Sequence, residues 1–473
     1  MKTKSIRRNY LYNVTYQCFL LVVSLLTIPY VSRVLGPDNV GQYSFVQSIA
    51  DLFALGAVLG SATYAMQEVA HVQTDRAAAS RVFWEIFLFR LMTASVVCIA
   101  YLCVAAFSGR YRVLFWIQSM ALAASVLDVS WFFQGLEEFR LTVVRSTAVK
   151  GLGMAAIFIF VRTENDLIPY AVINGVAALG GNASLWLALR RRLVRTPVRS
   201  LRVLRHLKPA LSLFAPALAV WMYTLLDKTI LGIFSGDAQV GYYTRAEQIV
   251  KIALTVITSL GAVLLPRITS CLHAGRQEEM RSYIDRAVRF SMMLGMPLAF
   301  GIASVADKLV PIFLGERFLP SIPLLYMLCP LPVLIGTASI IGTPLLLPLG
   351  RHARYSRCVV TGALINMTFN LLLVGRFAAL GVAFGTLMAE STVTLLEMRS
   401  VRDYLSCRKT ASYFIRYGVM ALGMAACVRV SARLPLTGAA QLAAMVTVGM
   451  AVYALELLLV RDPALAEARR FFK

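Results

Sequence analysis

Seven ionisable residues stand inside stretches of this 473-residue chain that are otherwise apolar: Asp51, Arg90, Asp128, Asp227, Lys228, Lys251 and Glu390. Arg245 and Glu247 sit near the end of another such stretch. A charge held at the centre of an apolar span in lipid costs roughly 2.5–3.5 kcal/mol on insertion scales, so each needs a partner or a task. Arg90, Lys228, Arg245 and Lys251 are the residue types that would line a cavity for an anionic substrate. Asp51, Asp128, Asp227 and Glu390 are the types that would bind a coupling ion. The competing reading is structural: Asp227 with Lys228, Arg245 with Glu247 and Asp51 with Lys251 would pair, or their long stems would snorkel to an interface.

A short repeat places two of these charges at equivalent points. At an offset of 200 residues Val40, Gly41 and Tyr43 align with Val240, Gly241 and Tyr243. The same offset sets Ser44, Ser48 and Asp51 opposite Thr244, Gln248 and Lys251, and both triplets have the i, i+4, i+7 spacing of one helix face. In the second copy the polar stripe continues through Thr255 and Thr258. Such a stripe on an apolar helix should meet protein or water rather than acyl chains, so these eight positions form the expected polar lumen face, with Asp51 and Lys251 favoured as functional.

Catalytic chemistry finds no support in the motifs. There is no Gly-rich phosphate loop ending in Lys-Ser/Thr, no H-E-x-x-H and no Ser/His/Asp set outside the apolar spans, so neither an enzyme nor ATP hydrolysis is expected. The eight cysteines include no C-x-x-C pair and the four histidines are scattered singly, so no disulfide framework, metal site or cofactor is expected.

The elements that carry these residues follow from composition. Hydrophobic residues make up 58% and charged residues 15% of the chain, a surface that water would not solvate. Spanning a bilayer takes about 20 mostly apolar residues in a helix, because every backbone polar group must be paired within the segment. Fourteen segments qualify, near 11–32, 42–66, 83–107, 112–135, 145–161, 167–189, 210–234, 241–265, 288–314, 322–349, 358–375, 378–398, 413–432 and 437–460. Twelve is the alternative if the final pair does not span. The expected fold is therefore all-α and polytopic. Two parallel, like-oriented lobes of six helices, 1–200 and 201–410, should surround a central cavity, with an extra helix pair and a tail at 411–473.

Charge distribution sets orientation. Counting residues at span ends with the adjoining loop, 34 of the 47 Lys and Arg fall on the side of Met1, 9 on the other side and 4 within spans. By the positive-inside rule both termini are cytoplasmic. The basic opening Met1–Arg8 resembles a signal peptide, but the apolar run after it is long enough to span and no small-residue site closes it, so a retained first helix is expected. The net charge of +23 lies in short loops, densest at Arg190, Arg191, Arg192, Arg195, Arg199, Arg202, Arg205 and Lys208, with no interleaved aromatics. That argues against nucleic acid and for topology control, with contact to anionic membrane lipids compatible. Gly56/Gly60 and Gly381/Gly385 match G-x-x-x-G and are read as close helix packing. Tyr30, Trp116 and Trp131, near span ends, are read as interfacial aromatics.

Four stretches carry a family likeness: TIPYVSRVLGPDNVGQYSF from Thr27, WFFQGLEEFRLTVVRS from Trp131, LLDKTILGIFSGDAQVGYY from Leu225 and VLLPRIT from Val263. They resemble the bacterial polysaccharide flippases, of O-antigen type, within the multidrug, oligosaccharidyl-lipid and polysaccharide exporter superfamily. The resemblance implies a two-lobed carrier in the inner membrane that flips an undecaprenyl-diphosphate-linked oligosaccharide from the cytoplasmic to the periplasmic leaflet, for O-antigen, capsule or exopolysaccharide synthesis. With no ATP site, alternating access is expected to draw on an ion gradient, or else on substrate supply. It implies cationic residues in the cavity, carried here onto Arg90, Lys228, Arg245 and Lys251, and polysaccharide polymerase or other assembly proteins as partners. The alternatives are a drug or cation antiporter of the same superfamily, which would want an acidic, aromatic cavity, and a scaffold of polysaccharide synthesis that moves nothing.

Overall fold

The computed structural model describes residues 6–194, 196–197 and 201–462, so Arg195, Arg199 and the end of the expected tail lie outside the described residues. Those residues are helical throughout apart from short connections, in the order α1 Ile6–Val58, α2 Ser61–His71, α3 Arg76–Phe107, α4 Arg112–Leu127, α5 Ser130–Gly135, α6 Phe139–Phe160, α7 Leu167–Leu189, α8 Leu207–Ser235, α9 Asp237–His273, α10 Gln277–Phe313, α11 Ser321–Leu328, α12 Leu331–Ile341, α13 His352–Ser400, α14 Cys407–Ser431 and α15 Gly438–Leu459.

Among the described residues, ten continuous helical stretches are long and apolar enough to cross a membrane. Two are too long to cross once: at 1.5 Å per residue, 57 residues rise about 85 Å against a hydrocarbon core of about 30 Å. Both are broken, α1 at Gly36 and α13 at Ala378, each with non-helical backbone angles. The breaks divide α1 with α2, and α13, into two spans each. Adding α8 and α9, at 29 and 37 residues, every one of the fourteen expected segments falls on helix. Lipid-facing character is plain on the surface, where Val96, Ile99, Phe107, Leu152, Leu187, Leu372 and Leu459 are all well exposed.

Contacts divide the chain into two compact units, residues 1–241 and 242–473. Within the first, a core of Phe83, Ile86, Trp131, Phe132, Phe133 and Leu185 gathers α2, α3, α5 and α7. Trp131 therefore departs from the interfacial position expected of it. It is buried, stacked on Phe83, because the chain breaks at Asp128–Val129 and turns the W-F-F run inward. The connection 201–206 is pinned to this unit by Glu85, which is buried and takes the Arg202 backbone N–H at 2.9 Å and the Arg205 guanidinium at 2.6 Å. His206 lies beside it with Nε2 3.1 Å from Glu85 and Nδ1 2.9 Å from the Tyr64 hydroxyl. Burial lowers the pKa of this imidazole below its ordinary range, so Arg205 supplies the countercharge for Glu85.

Within the second unit α10 is the centre, and the final helix pair packs on it. Tyr453 donates to the Met293 carbonyl at 2.7 Å, and Asp462, just past α15, accepts from Arg416 and Tyr417 of α14. Gly381 and Gly385 sit where a Cβ would strike the Leu373 backbone and the Asn370 side chain, the close packing expected of them. In the first unit Gly60 both opens α2 with a φ of +63 and packs closely, a Cβ there standing 3.0 Å from the Phe214 backbone, whereas Gly56 has only ordinary contact with Val97 at 3.8 Å.

The 200-residue repeat is visible in the backbone. Gly36 and Gly236 share one conformation, φ 73 and ψ 174 against φ 84 and ψ 174. Five residues on in each copy, Gly41 and Gly241 make matching contacts, since a Cβ at Gly41 would fall on the Asp237 carbonyl and one at Gly241 on the Pro37 carbonyl. The offset maps one contact onto the other, so α1 and the start of α9 cross backbone to backbone around a local pseudo-twofold. Arg110 and Tyr111 tie the same corner through the Asp237 carboxylate, at 2.6 and 2.8 Å.

Candidate functional site

Arg90 occupies the break between α4 and α5. A helix that ends leaves carbonyls without partners, and inside an apolar span side chains must supply them. Here Asn182 donates to the Ala124 carbonyl at 2.7 Å, Trp186 to Leu127 at 3.0 Å, and Arg90 and Trp131 to Asp128 at 2.6 and 3.0 Å. Arg90 is 2% exposed and lies over the Trp131 ring at 5.9 Å. Asp128 turns its carboxylate back on the Ser130 N–H at 2.9 Å. This arrangement fixes the broken helix and leaves Arg90 enclosed by protein.

The second half of α1 and α8 bring three of the expected residues together. Ser48 meets the Thr229 hydroxyl at 3.0 Å, tying the two helices one turn from Asp51. Asp51 accepts from Gln47 at 2.6 Å, and Gln47 in turn accepts from Gln118 of α4 at 2.8 Å. Lys228 is half-buried and close enough to act on the charge of Asp51, and Asp227 beside it is buried. Ser44 is half-buried on the same helix as Asp51. The chemistry available is a carboxylate held by an amide relay, with an ammonium nearby. Gln47 and Gln118 are the members that sequence reasoning missed, because a lone Gln in an apolar span carries no countable charge.

On α9 the stripe is graded. Thr244 and Arg245 are buried, Gln248 is half-buried and receives Arg245 at 2.7 Å, and Lys251 emerges with 52% of its side chain exposed. Its ammonium is 2.6 Å from Glu247, one turn earlier on the same helix. Thr255 and Thr258 continue the line, half-buried, each bonding back to a carbonyl of the preceding turn. An exposed ion pair midway along a helix of membrane-spanning length is expensive against acyl chains and inexpensive against water. Glu390 is buried on the second half of α13, one turn beyond Thr386, whose hydroxyl meets that of Tyr243 on α9 at 3.1 Å. No group of three or more His, Cys, Asp or Glu that could hold a metal occurs among the described residues.

With this geometry described, the chain can be set beside known proteins. Residues 6–272 match the polysaccharide biosynthesis protein family, more than half of the chain. The chain belongs to that family. Its relatives include a candidate O-antigen transporter of Escherichia coli (strain K12), 24% identical over 84% of this chain and 97% of that protein. A second, from Shigella dysenteriae, is 23% identical over 80% of this chain and 95% of its own length. Among solved structures, the lipid II flippase MurJ in an inward closed conformation matches with a TM-score of 0.77 over 96% of this chain and 99% of its own, at 11% identity. An inward-facing multidrug MATE transporter matches with a TM-score of 0.60 over 83% of this chain and 98% of its own, at 15% identity. At those identities the likeness is one of fold. Family membership gives the graded stripe of α9 and the Asp51–Lys228 cluster of α1 and α8 a context: intramembrane charge in a polytopic protein of polysaccharide assembly.

Proposed function

We propose that this chain is a flippase that moves an undecaprenyl-diphosphate-linked oligosaccharide across the bacterial inner membrane, from the cytoplasmic to the periplasmic leaflet. The observation that carries the reading is the exposed Lys251 of α9, paired with Glu247 midway along a helix long enough to span the membrane. A diphosphate crossing a low-dielectric layer needs positive charge along its way, since the Coulomb term between opposite charges grows as the dielectric falls. Lys228, Arg245 and Lys251 supply that charge, while the prenyl chain stays in lipid. The near full-length kinship with candidate O-antigen transporters supports the same substrate class.

In this reading the work is transport rather than catalysis, both termini lie in the cytoplasm, and the partners are the lipid-linked oligosaccharide, membrane lipids and the polymerase and other assembly proteins that use the product. The lobe pattern 1–200, 201–410 and 411–473 is retained as the unit of the transport cycle. Asp51, Asp128, Asp227 and Glu390 remain the carboxylates proposed for coupling, with Ser44, Ser48, Thr244, Gln248, Thr255 and Thr258 as the polar face. Removing the chain from cells that make the polysaccharide tests this directly. Lipid-linked oligosaccharide should accumulate and surface polymer disappear, with both restored by the wild-type chain. Normal surface polymer in its absence would overturn the reading.

A further inference from the structure

Glu397 belongs to none of the groups above. It lies on the second half of α13, seven residues beyond Glu390 and on the same helix face. It is 2% exposed, and its Oε2 is buried without a hydrogen-bond partner. Its wall is made by the π-helical turn Gly342–Leu346 that follows α12. A Cβ placed on Gly342 would stand 3.0 Å from Oε1 of Glu397 and 3.0 Å from the Tyr355 ring. Four of the five residues in that turn are buried, and none of the five is titratable. Turns of this kind hold one residue more than an α-helix and occur frequently at functional sites.

The charged and titratable groups facing Glu397 are few. Along its own helix there is Glu390, and from the first half of α13 come Tyr355 and Cys358. Arg357 acts on Cys358. Arg351 is spent on the Ser400 carbonyl and the Asp403 carboxylate, at 2.5 and 3.0 Å. Glu397 makes no ion pair among the described residues. An ionised carboxylate buried without a countercharge is strongly disfavoured, and the group becomes neutral by taking a proton. A hard metal cation would want a cage of oxygens, whereas this site offers one carboxyl, a glycine and an aromatic edge.

We infer that Glu397 is a proton-binding site of the transport cycle, loaded when the Gly342–Leu346 turn is closed over it and emptied when that turn admits water. In the emptying step the carboxyl O–H bond breaks, the proton passes to water and the carboxylate keeps the electron pair. Its part in a transport cycle rests on the flippase reading, but the proton site does not, and the two are tested separately. Infrared difference spectra of the purified full-length protein, recorded across an acid titration, should show a protonated carboxyl band that E397Q lacks and E397D retains. In proteoliposomes holding lipid-linked oligosaccharide, a proton gradient should raise the wild-type flipping rate. For E397Q the ratio of rates with and without the gradient should fall to one, and E397D should restore a ratio above one. A carboxyl band unchanged in E397Q removes the proton site. A normal gradient response in E397Q removes its role in coupling. Should the wild type fail to flip, the flippase reading falls and the infrared comparison still decides the site.

Discussion

Two arginine and lysine positions of like composition do different work here. Arg90 is enclosed, donating to the carbonyl that the α4–α5 break exposes, whereas Lys251 stands half in the open beside Glu247. The difference predicts opposite phenotypes. R90A removes a guanidinium that satisfies a buried carbonyl and leaves a cavity against Trp131, so folded stability should fall by roughly 1–3 kcal/mol, read as a lower Tm of the purified protein. K251A leaves an exposed site, and an exposed ion pair contributes about 0–1 kcal/mol, so Tm should hold while surface polysaccharide is lost. A stable R90A, or a K251A strain with normal polymer, would contradict these assignments. Lys251 is legible in sequence because charge in an apolar run is conspicuous and its i−7 and i+4 neighbours are polar. The role of Arg90 is not, since nothing in the apolar run 112–135 announces that the helix breaks at Asp128. Glu397 escapes for a related reason: placed one residue inside the end of a span, it reads as an interfacial charge until the π-helical turn is seen to close over it.

At the scale of elements, the apolar runs locate every helix, and the boundaries between 11–32 and 42–66 and between 358–375 and 378–398 already fall at the bends at Gly36 and Ala378. What the runs do not give is the backbone there, φ 73 and ψ 174 at Gly36 and φ 45 and ψ −127 at Ala378. The repeat Val40, Gly41, Tyr43 and Val240, Gly241, Tyr243 is readable as a repeat, while its physical cause, a reciprocal backbone crossing, needs coordinates. That crossing makes a quantitative prediction. G41A and G241A each drive a methyl group into a carbonyl that no rotamer change can relieve, and each should cost about 1–3 kcal/mol. Both damage one shared contact, so the double variant should cost clearly less than the sum. G180A, where a Cβ has open space around it, should be neutral or slightly stabilising. Additive losses for the two crossing glycines would mean that the contacts are independent.

For the whole molecule, fourteen helical segments, a strong bias of Lys and Arg toward one side and intramembrane charge are three independent signs of a polytopic transporter, and all three are present in the sequence. What composition leaves open is the cargo, because the same fold is found in the lipid II flippase MurJ and in a multidrug MATE transporter. The proposed role of Lys251 is the feature that would separate them, since a carrier of cations gains nothing from an exposed ammonium on α9.

Reconstitution of the purified chain into vesicles loaded with lipid-linked oligosaccharide measures this most directly, with added glycan-cleaving enzyme reporting which leaflet holds the sugar. The account predicts that the wild-type chain changes the enzyme-accessible fraction with time, that K251A does not, and that neither extrudes a cationic dye. An accessible fraction equal to that of protein-free vesicles, or dye extrusion by the wild type alone, would contradict it.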